Sequence, residues 1–216
     1  MSNPDSFIDE VTEELRRDRM SMLLRRWGWV AVLAVALLVG GAAFNEWRKA
    51  RDAARAQAFG DAVLAALELP DAEARSAALA ALEPAVPEQR VVLEMARAGS
   101  LAEADPAAAA AALIALGDDA GVAPEYRDLA LLKAIWLGGS GDAARDAAIL
   151  ADLATPGRPF RTLAVEQQAF AAIAAGDPAT AATLLRVLTE DAEASQALRQ
   201  RARQTIVALG LEAEPA

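Results

Sequence analysis

Between Arg26 and Glu46 the chain carries no charge. The nineteen residues from Trp27 to Asn45 read Trp-Gly-Trp-Val-Ala-Val-Leu-Ala-Val-Ala-Leu-Leu-Val-Gly-Gly-Ala-Ala-Phe-Asn. At about 1.5 Å of rise per residue, a helix from Trp27 to Trp47 is roughly 30 Å long, the thickness of a bilayer's hydrocarbon core. Such a segment must be buried in protein, removed, or placed in lipid. A buried core helix of this length usually carries a polar residue. A signal peptide has an apolar region of about 7–15 residues behind a short charged leader. Here the leader is 26 residues long, although Gly40-Gly41-Ala42-Ala43 supplies the small residues a peptidase takes. Insertion as a transmembrane helix over 27–47 is the favoured outcome. Val30, Val32, Leu33, Val35, Leu37, Leu38, Val39 and Phe44 each favour it by about 0.3 to 0.6 kcal/mol, with no charge to oppose them. Amphipathic rings prefer the headgroup region, so Arg25, Arg26, Trp27 and Trp29 at one end, with Phe44 and Trp47 at the other, read as membrane-interface anchors.

About 170 of the 216 residues follow this segment, enough for one domain with its own core. Alanine dominates, Gly and Pro mark boundaries, and β-branched runs are absent outside the apolar segment. The composition is all-α. The formal net charge is −10, with −1 in residues 1–26 and −9 in the remainder. An acidic domain is a poor nucleic-acid binder, because phosphate contact requires clustered Lys and Arg. The acidity reads as a solubility feature. There is no Cys and no His. The usual zinc ligands, thiol nucleophile and imidazole base are therefore missing.

Residues 1–26 form the first region, with an amphipathic helix expected over Asp5 to Arg26. Ser6-Phe7-Ile8-Asp9 has the form of a capping box, with Ser6 as the cap. Phe7, Val11 and Leu15 recur at four-residue steps, with Ile8 and Met22 near the same stripe. Asp9, Glu10, Glu13 and Glu14 precede Arg16, Arg17 and Arg19, a favourable charge order. Two readings of this helix stand: a surface for a partner or membrane, and a lead-in that solvates the anchor. Arg16, Arg17, Arg19, Arg25 and Arg26 flank the span on one side, and Arg48, Lys49, Arg51 and Arg55 on the other. Five against four leans toward a cytoplasmic N-terminus and an exported C-terminal domain.

A connecting helix is expected over 48–69, running on from the span, with Ala54, Ala58, Val63, Leu64 and Leu67 on its apolar face. Residues 70–210 then read as helical hairpins, and 211–216 as a tail. Pro70-Asp71 opens Ala72–Leu82, and Pro84 and Pro87 bracket a turn before Arg90–Leu101. Asp105-Pro106 opens Ala107–Leu116, with Asp as cap and Pro in the first turn. Glu125–Leu137, Asp142–Leu153, Phe160–Ala175, Ala179–Leu188 and Ala194–Leu209 follow, separated by short Gly- or Pro-marked links. The units repeat. Leu129-Ala130 and Trp136 match Leu163-Ala164 and Phe170 at an offset of 34. Gly141-Asp142, Ile149-Leu150 and Leu153 match Gly176-Asp177, Leu184-Leu185 and Leu188 at 35. Asp105-Pro106-Ala107, Leu113 and Leu116 match Asp177-Pro178-Ala179, Leu185 and Leu188 at 72. A two-helix unit with a period near 34 is the signature of a tetratricopeptide-type α-solenoid, in which stacked antiparallel pairs bury what one pair cannot. Leu198, Ala202, Ile206 and Leu209 form one stripe, while Arg199, Gln200, Arg203 and Gln204 face water, as a terminal cap helix requires.

The order of parts is similar to that of the YfgM-like family, the tetratricopeptide-repeat ancillary subunits of the bacterial Sec translocon. The resemblance is carried by Phe7-Ile8-Asp9-Glu10-Val11-Thr12-Glu13-Glu14-Leu15-Arg16-Arg17, the Trp-flanked span, the continuing helix and the degenerate repeats. It implies a bacterial inner-membrane protein with its N-terminus in the cytoplasm and a periplasmic repeat domain. It also implies translocon subunits, periplasmic chaperones and exported clients as partners. Two other roles stay open: a different envelope assembly adaptor (cytochrome maturation or cell division) and a non-catalytic subunit of a membrane enzyme complex. The chain departs from a regular repeat. Ala181 fits the small second-helix position, but the equivalent Asp146 is not small, and the first-helix aromatics are displaced. With Lys49 and Lys133 the only lysines, no clamp for a peptide carboxylate is evident.

No catalytic residue, metal ligand or cofactor site is expected. Asp118-Asp119 and Glu190-Asp191 are paired carboxylates at helix ends, where solvated caps are the ordinary reading. Gly138-Gly139-Ser140-Gly141 lacks the Lys of a phosphate loop and reads as a turn. Trp136 and Phe170 are expected in the core.

Overall fold

Among the described residues, six of the eight breaks between helices contain a Pro or a Gly. The computed structural model describes residues 4–210, with side chains from residue 25 onward apart from Ala31. Among them are helices α1 (Pro4–Leu67), α2 (Ala72–Ala80), α3 (Pro87–Leu101), α4 (Pro106–Asp118) and α5 (Pro124–Trp136). Then come α6 (Ala143–Leu153), α7 (Arg161–Ala174), α8 (Pro178–Glu190) and α9 (Gln196–Ala208), with no strand among the described residues. Pro occupies the first turn of α3, α4, α5 and α8, where its missing N–H costs no hydrogen bond. Gly138 and Gly176 follow the C-caps of α5 and α7 with φ of 109° and 77°. In both, the next N–H reaches back to the helix, from Gly139 to the Ala134 carbonyl and from Asp177 to the Ala172 carbonyl, each at 2.9 Å. This is the glycine-dependent Schellman stop. The breaks after α3 and α8 contain neither residue; their C-caps are Ala102 and Asp191.

The chain divides into two units between Ala58 and Phe59, inside α1. The first unit is the greater part of α1, which continues through the expected boundaries at 26 and 47 as one helix. Its start at Pro4 lies ahead of Ser6, so Ser6 sits within the helix and not at its cap. The expected stripe of Phe7, Ile8, Val11, Leu15 and Met22, and the charge pairs beside it, lie outside the described side chains. The tail 211–216 lies outside the described residues.

The second unit begins with the last turns of α1. Phe59, Val63 and Ala66 pack with Leu79 of α2 and Leu93 of α3. The expected apolar face over 48–69 is therefore corrected. Leu64 and Leu67 are exposed, because Phe59, Val63 and Ala66 share a face by their four- and three-residue steps and Leu64 is turned about 100° from Val63.

A block of three helices, α3–α4–α5, recurs as α7–α8–α9 at the 72-residue offset. The N-caps of α4 and α8, Asp105 and Asp177, each accept from the third residue on, Ala108 N–H at 2.9 Å and Thr180 N–H at 3.0 Å. The C-caps, Asp119 and Asp191, each fold into an Asx turn, accepting from Gly121 N–H at 2.8 Å and Glu193 N–H at 2.9 Å. Buried counterparts follow the same step: Leu113 and Leu185, Leu116 and Leu188, Val122 and Ala194, Ala130 and Ala202, Ala134 and Ile206. Between the blocks, α6 closes a further cluster of Leu132, Leu150, Leu153 and Ala164. The Leu131, Leu132 and Ile135 that contribute to it have Arg203, Gln204 and Val207 as counterparts on α9, all exposed. Two of these three α9 residues are polar, where α5 turns apolar side chains to that cluster.

The 34-residue match is displaced. The N-caps of α6 and α8, Asp142 and Asp177, stand 35 apart, as read from the sequence. The C-caps of α5 and α7, Leu137 and Ala175, stand 38 apart. An offset of 34 falls about one helical turn short, so it preserves the face and loses the register. The difference arises in the links: Gly138 to Gly141 separate α5 from the cap of α6, whereas Gly176 alone precedes Asp177.

Candidate functional site

The sequence-predicted anchors lie along one exposed helical surface of the first unit. Arg25, Arg26, Trp27, Trp29, Phe44 and Trp47 are all exposed, as are Val32, Leu33, Val35, Leu37, Leu38 and Val39 between them. This is the one helix, among the described residues, long and apolar enough to cross a membrane, and none of its most apolar stretch is buried. Continuous exposed apolar surface on this scale is unfavourable in water by about 25 cal/mol per Å². At its C-terminal end the Phe44 and Trp47 rings meet at 5.9 Å, tilted by 33°. The Arg51 guanidinium lies 5.5 Å from the Trp47 ring, within cation–π range. Arg51 was absent from the expected anchors, although its place four residues after Trp47 signals the contact.

Of the paired carboxylates, Asp118, Asp119 and Asp191 bond to arginines of other elements and are not merely solvated caps, whereas Glu190 is exposed. Arg90, in the first turn of α3, donates to Asp119 at 2.7 Å. Arg161, in the first turn of α7, donates to Asp191 at 2.6 Å and also pairs with Glu193. Each bond joins the start of one helix to the end of the next, which fixes both hairpins as antiparallel. The two differ in burial. Arg90 and Asp119 are 41% and 36% exposed, but Arg161 and Asp191 only 17% and 10%. The Arg90 hydrogen bond, with the Gly121 amide, holds the Asp119 carboxyl below the ordinary carboxylate range. Burial pushes Asp191 the other way, but the Arg161 guanidinium and the Glu193 amide outweigh it and leave Asp191 lowered as well. Asp118 pairs with Arg145 at 2.7 Å.

Two buried carboxylates escaped the sequence reading. Asp128 of α5 accepts from Arg158 at 2.7 Å, and Glu166 of α7 takes both arms of Arg201 at 3.0 and 2.9 Å. The Glu166 hydrogen bonds hold the Arg201 guanidinium above its usual value against partial burial. Each carboxylate is thus committed to an arginine. Among the described residues no group of three or more His, Cys, Asp or Glu is placed to hold a metal ion.

Trp136 and Phe170 overturn an expectation. They are 51% and 39% exposed, outside the core. Trp136 stands two residues from fully buried Ala134, about 200° round α5, and Phe170 follows buried Ala169 by about 100°. The alanines occupy the seams, so the rings face out. An open cleft of about 540 Å³ lies between α4 and the glycine-rich link, with Ala111, Ile114, Leu137 and Arg145 among its walls. Gly138-Gly139-Ser140-Gly141 is a turn, as expected, and Asp146 closes it by accepting from Ser140 N–H at 2.8 Å. The residue that departs from the repeat pattern thus has a local task.

Comparison with protein-family models, with curated proteins and with solved structures finds no match to this chain.

Proposed function

We propose that this chain is a single-pass membrane protein whose helical second unit is a tetratricopeptide-like scaffold for other proteins. The observation that carries the reading is the uncharged, unburied stretch of α1 with aromatic residues at both ends. The scaffold role is supported by the repeated three-helix block and by outward-facing Trp136 and Phe170, since exposed aromatics are enriched where proteins meet. Anchoring raises the local concentration of a scaffold beside membrane-bound partners, which strengthens binding without new contacts. The reading extends to an ancillary subunit of the Sec translocon or of the periplasmic chaperone network, assisting exported proteins. That extension rests on the order of parts along the sequence. The five-to-four arginine and lysine balance supports a cytoplasmic N-terminus and a periplasmic second unit.

Carbonate washing of cell envelopes tests the anchor: the intact chain stays with the membranes, and its release into the supernatant removes the reading. Crosslinking in intact cells, followed by detergent pull-down, tests the partners. Recovery of translocon subunits or periplasmic chaperones is expected, and repeated recovery of neither sinks the export role.

A further inference from the structure

Just beyond the apolar stretch, α1 carries Arg48, Lys49, Arg51 and Arg55 within about two turns. Acidic neighbours occupy two of them. Lys49 donates to Glu46 at 3.1 Å, and Arg55 lies 3.9 Å from Asp52. Arg48 and Arg51 have no carboxylate within ion-pair distance among the described residues, where the only pairs on this stretch are those two. Position along the helix then sorts the side chains. Phe44 pairs with Arg48 and Trp47 with Arg51 at four-residue steps, and at 100° per residue the four fall within about 100° of one another on one face. Lys49 and Glu46 lie on another. The face is graded: rings first, then guanidinium groups, in the direction in which α1 leaves its apolar stretch. The ring contact at 5.9 Å and the Arg51–Trp47 stacking at 5.5 Å join its parts.

A guanidinium is the side chain best shaped for a phosphate, presenting parallel N–H donors to two oxygens. Trp47 belongs at the depth where acyl chains meet headgroups. A zwitterionic headgroup already balances its phosphate with its own amine. Two arginines without acidic partners are complementary to a headgroup that does not.

We propose that the Phe44–Trp47–Arg48–Arg51 face of α1 is a binding surface for an anionic phospholipid, whose phosphodiester sits between the two guanidinium groups. The inference rests on the membrane-anchor reading above. It assigns the lipid-selective contact to one face, with Lys49 outside it.

The test uses the full chain in vesicles, with Trp27, Trp29 and Trp136 replaced by Phe so that Trp47 alone fluoresces. Vesicles mix phosphatidylcholine with phosphatidylglycerol, and bromine quencher is carried by the acyl chains of one lipid or the other. Phosphatidylglycerol is expected to quench Trp47 beyond its mole fraction, with a local enrichment of roughly five-fold for each unpaired arginine. The Arg48→Gln/Arg51→Gln pair returns quenching to the mole fraction, and Lys49→Gln leaves the enrichment in place. The proposal is overturned if the parent chain follows the mole fraction, if the double variant keeps its enrichment, or if Lys49→Gln abolishes it. Quenching by neither lipid sinks the anchor reading itself, a result distinct from equal quenching by both.

Discussion

Replacing Arg161 with Met removes one guanidinium and strands one buried carboxylate. Arg161 serves Asp191 at 2.6 Å and Glu193 at 2.8 Å, with Asp191 only 10% exposed. Glu193 is mostly exposed and adds little, since surface pairs contribute about 0–1 kcal/mol. For Asp191 the bond is charge-assisted and largely shielded. Losing one partner of a fully buried pair costs about 3–5 kcal/mol. The Glu193 amide still serves Asp191, so the lower end applies, about 3 kcal/mol at neutral pH. Hydrogen exchange on the full chain in detergent micelles reads this locally. Peptides from α8 and α9 should exchange on the order of a hundred-fold faster than in the parent chain. Arg90→Met probes the same joint one block earlier, where the pair is far more exposed, so its effect on α4 is the smaller. The pH dependence has a definite sign. Asp191 is lowered in the folded state, so its contribution is complete above the ordinary aspartate value of about 3.9 and is lost as pH falls through its folded value. The gap between parent and Arg161→Met must therefore shrink in acid. An α8–α9 exchange rate within about three-fold of the parent, or a gap that widens in acid, refutes the reasoning.

Three further outcomes follow from the same structure. Leu185→Ala, at a fully buried position of the α7–α9 cluster, should lower stability by about 2–5 kcal/mol, measured by urea unfolding of the detergent-solubilised chain. Gly176→Ala adds a Cβ in open space at a φ of 77° and should cost about 1–2 kcal/mol. Gly139→Ala has a similar φ but its Cβ would stand 2.1 Å from the Asp146 carboxylate, so it should cost more, and equal melting shifts for the two would contradict that. Val35→Arg places a charge at the centre of the apolar stretch, an insertion penalty of about 2.5–3.5 kcal/mol, and should increase the fraction released by carbonate.

Helix positions were legible because they depend on local chemistry. Asp105-Pro106 and Asp177-Pro178 cap and open their helices wherever they occur, and Gly138 and Gly176 stop theirs by adopting positive φ. The apolar stretch was equally plain, since charge-free length needs no partner to be recognised. The burial of Leu198, Ala202 and Ile206 in α9 followed from period alone. The repeat was harder. The 72-residue match was visible only in α4 and α8, although the Arg90–Asp119 pair recurs as Arg161–Asp191, with the aspartates 72 apart and the arginines 71. The 34-residue match was caught one turn out of register because alanine-rich helices look alike at any multiple of a turn.

By itself the sequence determined that this chain is helical, where most of its helices stop, and that its residues 27–47 suit lipid better than water. These outcomes depend on groups a few residues apart along one helix. Only the tertiary structure decided which side of α5 and α7 faces in, because that choice belongs to pairs of surfaces. It buried Ala130, Ala134 and Ala169 where helices approach closely and turned the larger Trp136 and Phe170 outward. It also matched Asp128 with Arg158 of the α6–α7 link and Glu166 with Arg201 of α9, partners 30 and 35 residues apart, whose charges are satisfied only when separate elements meet.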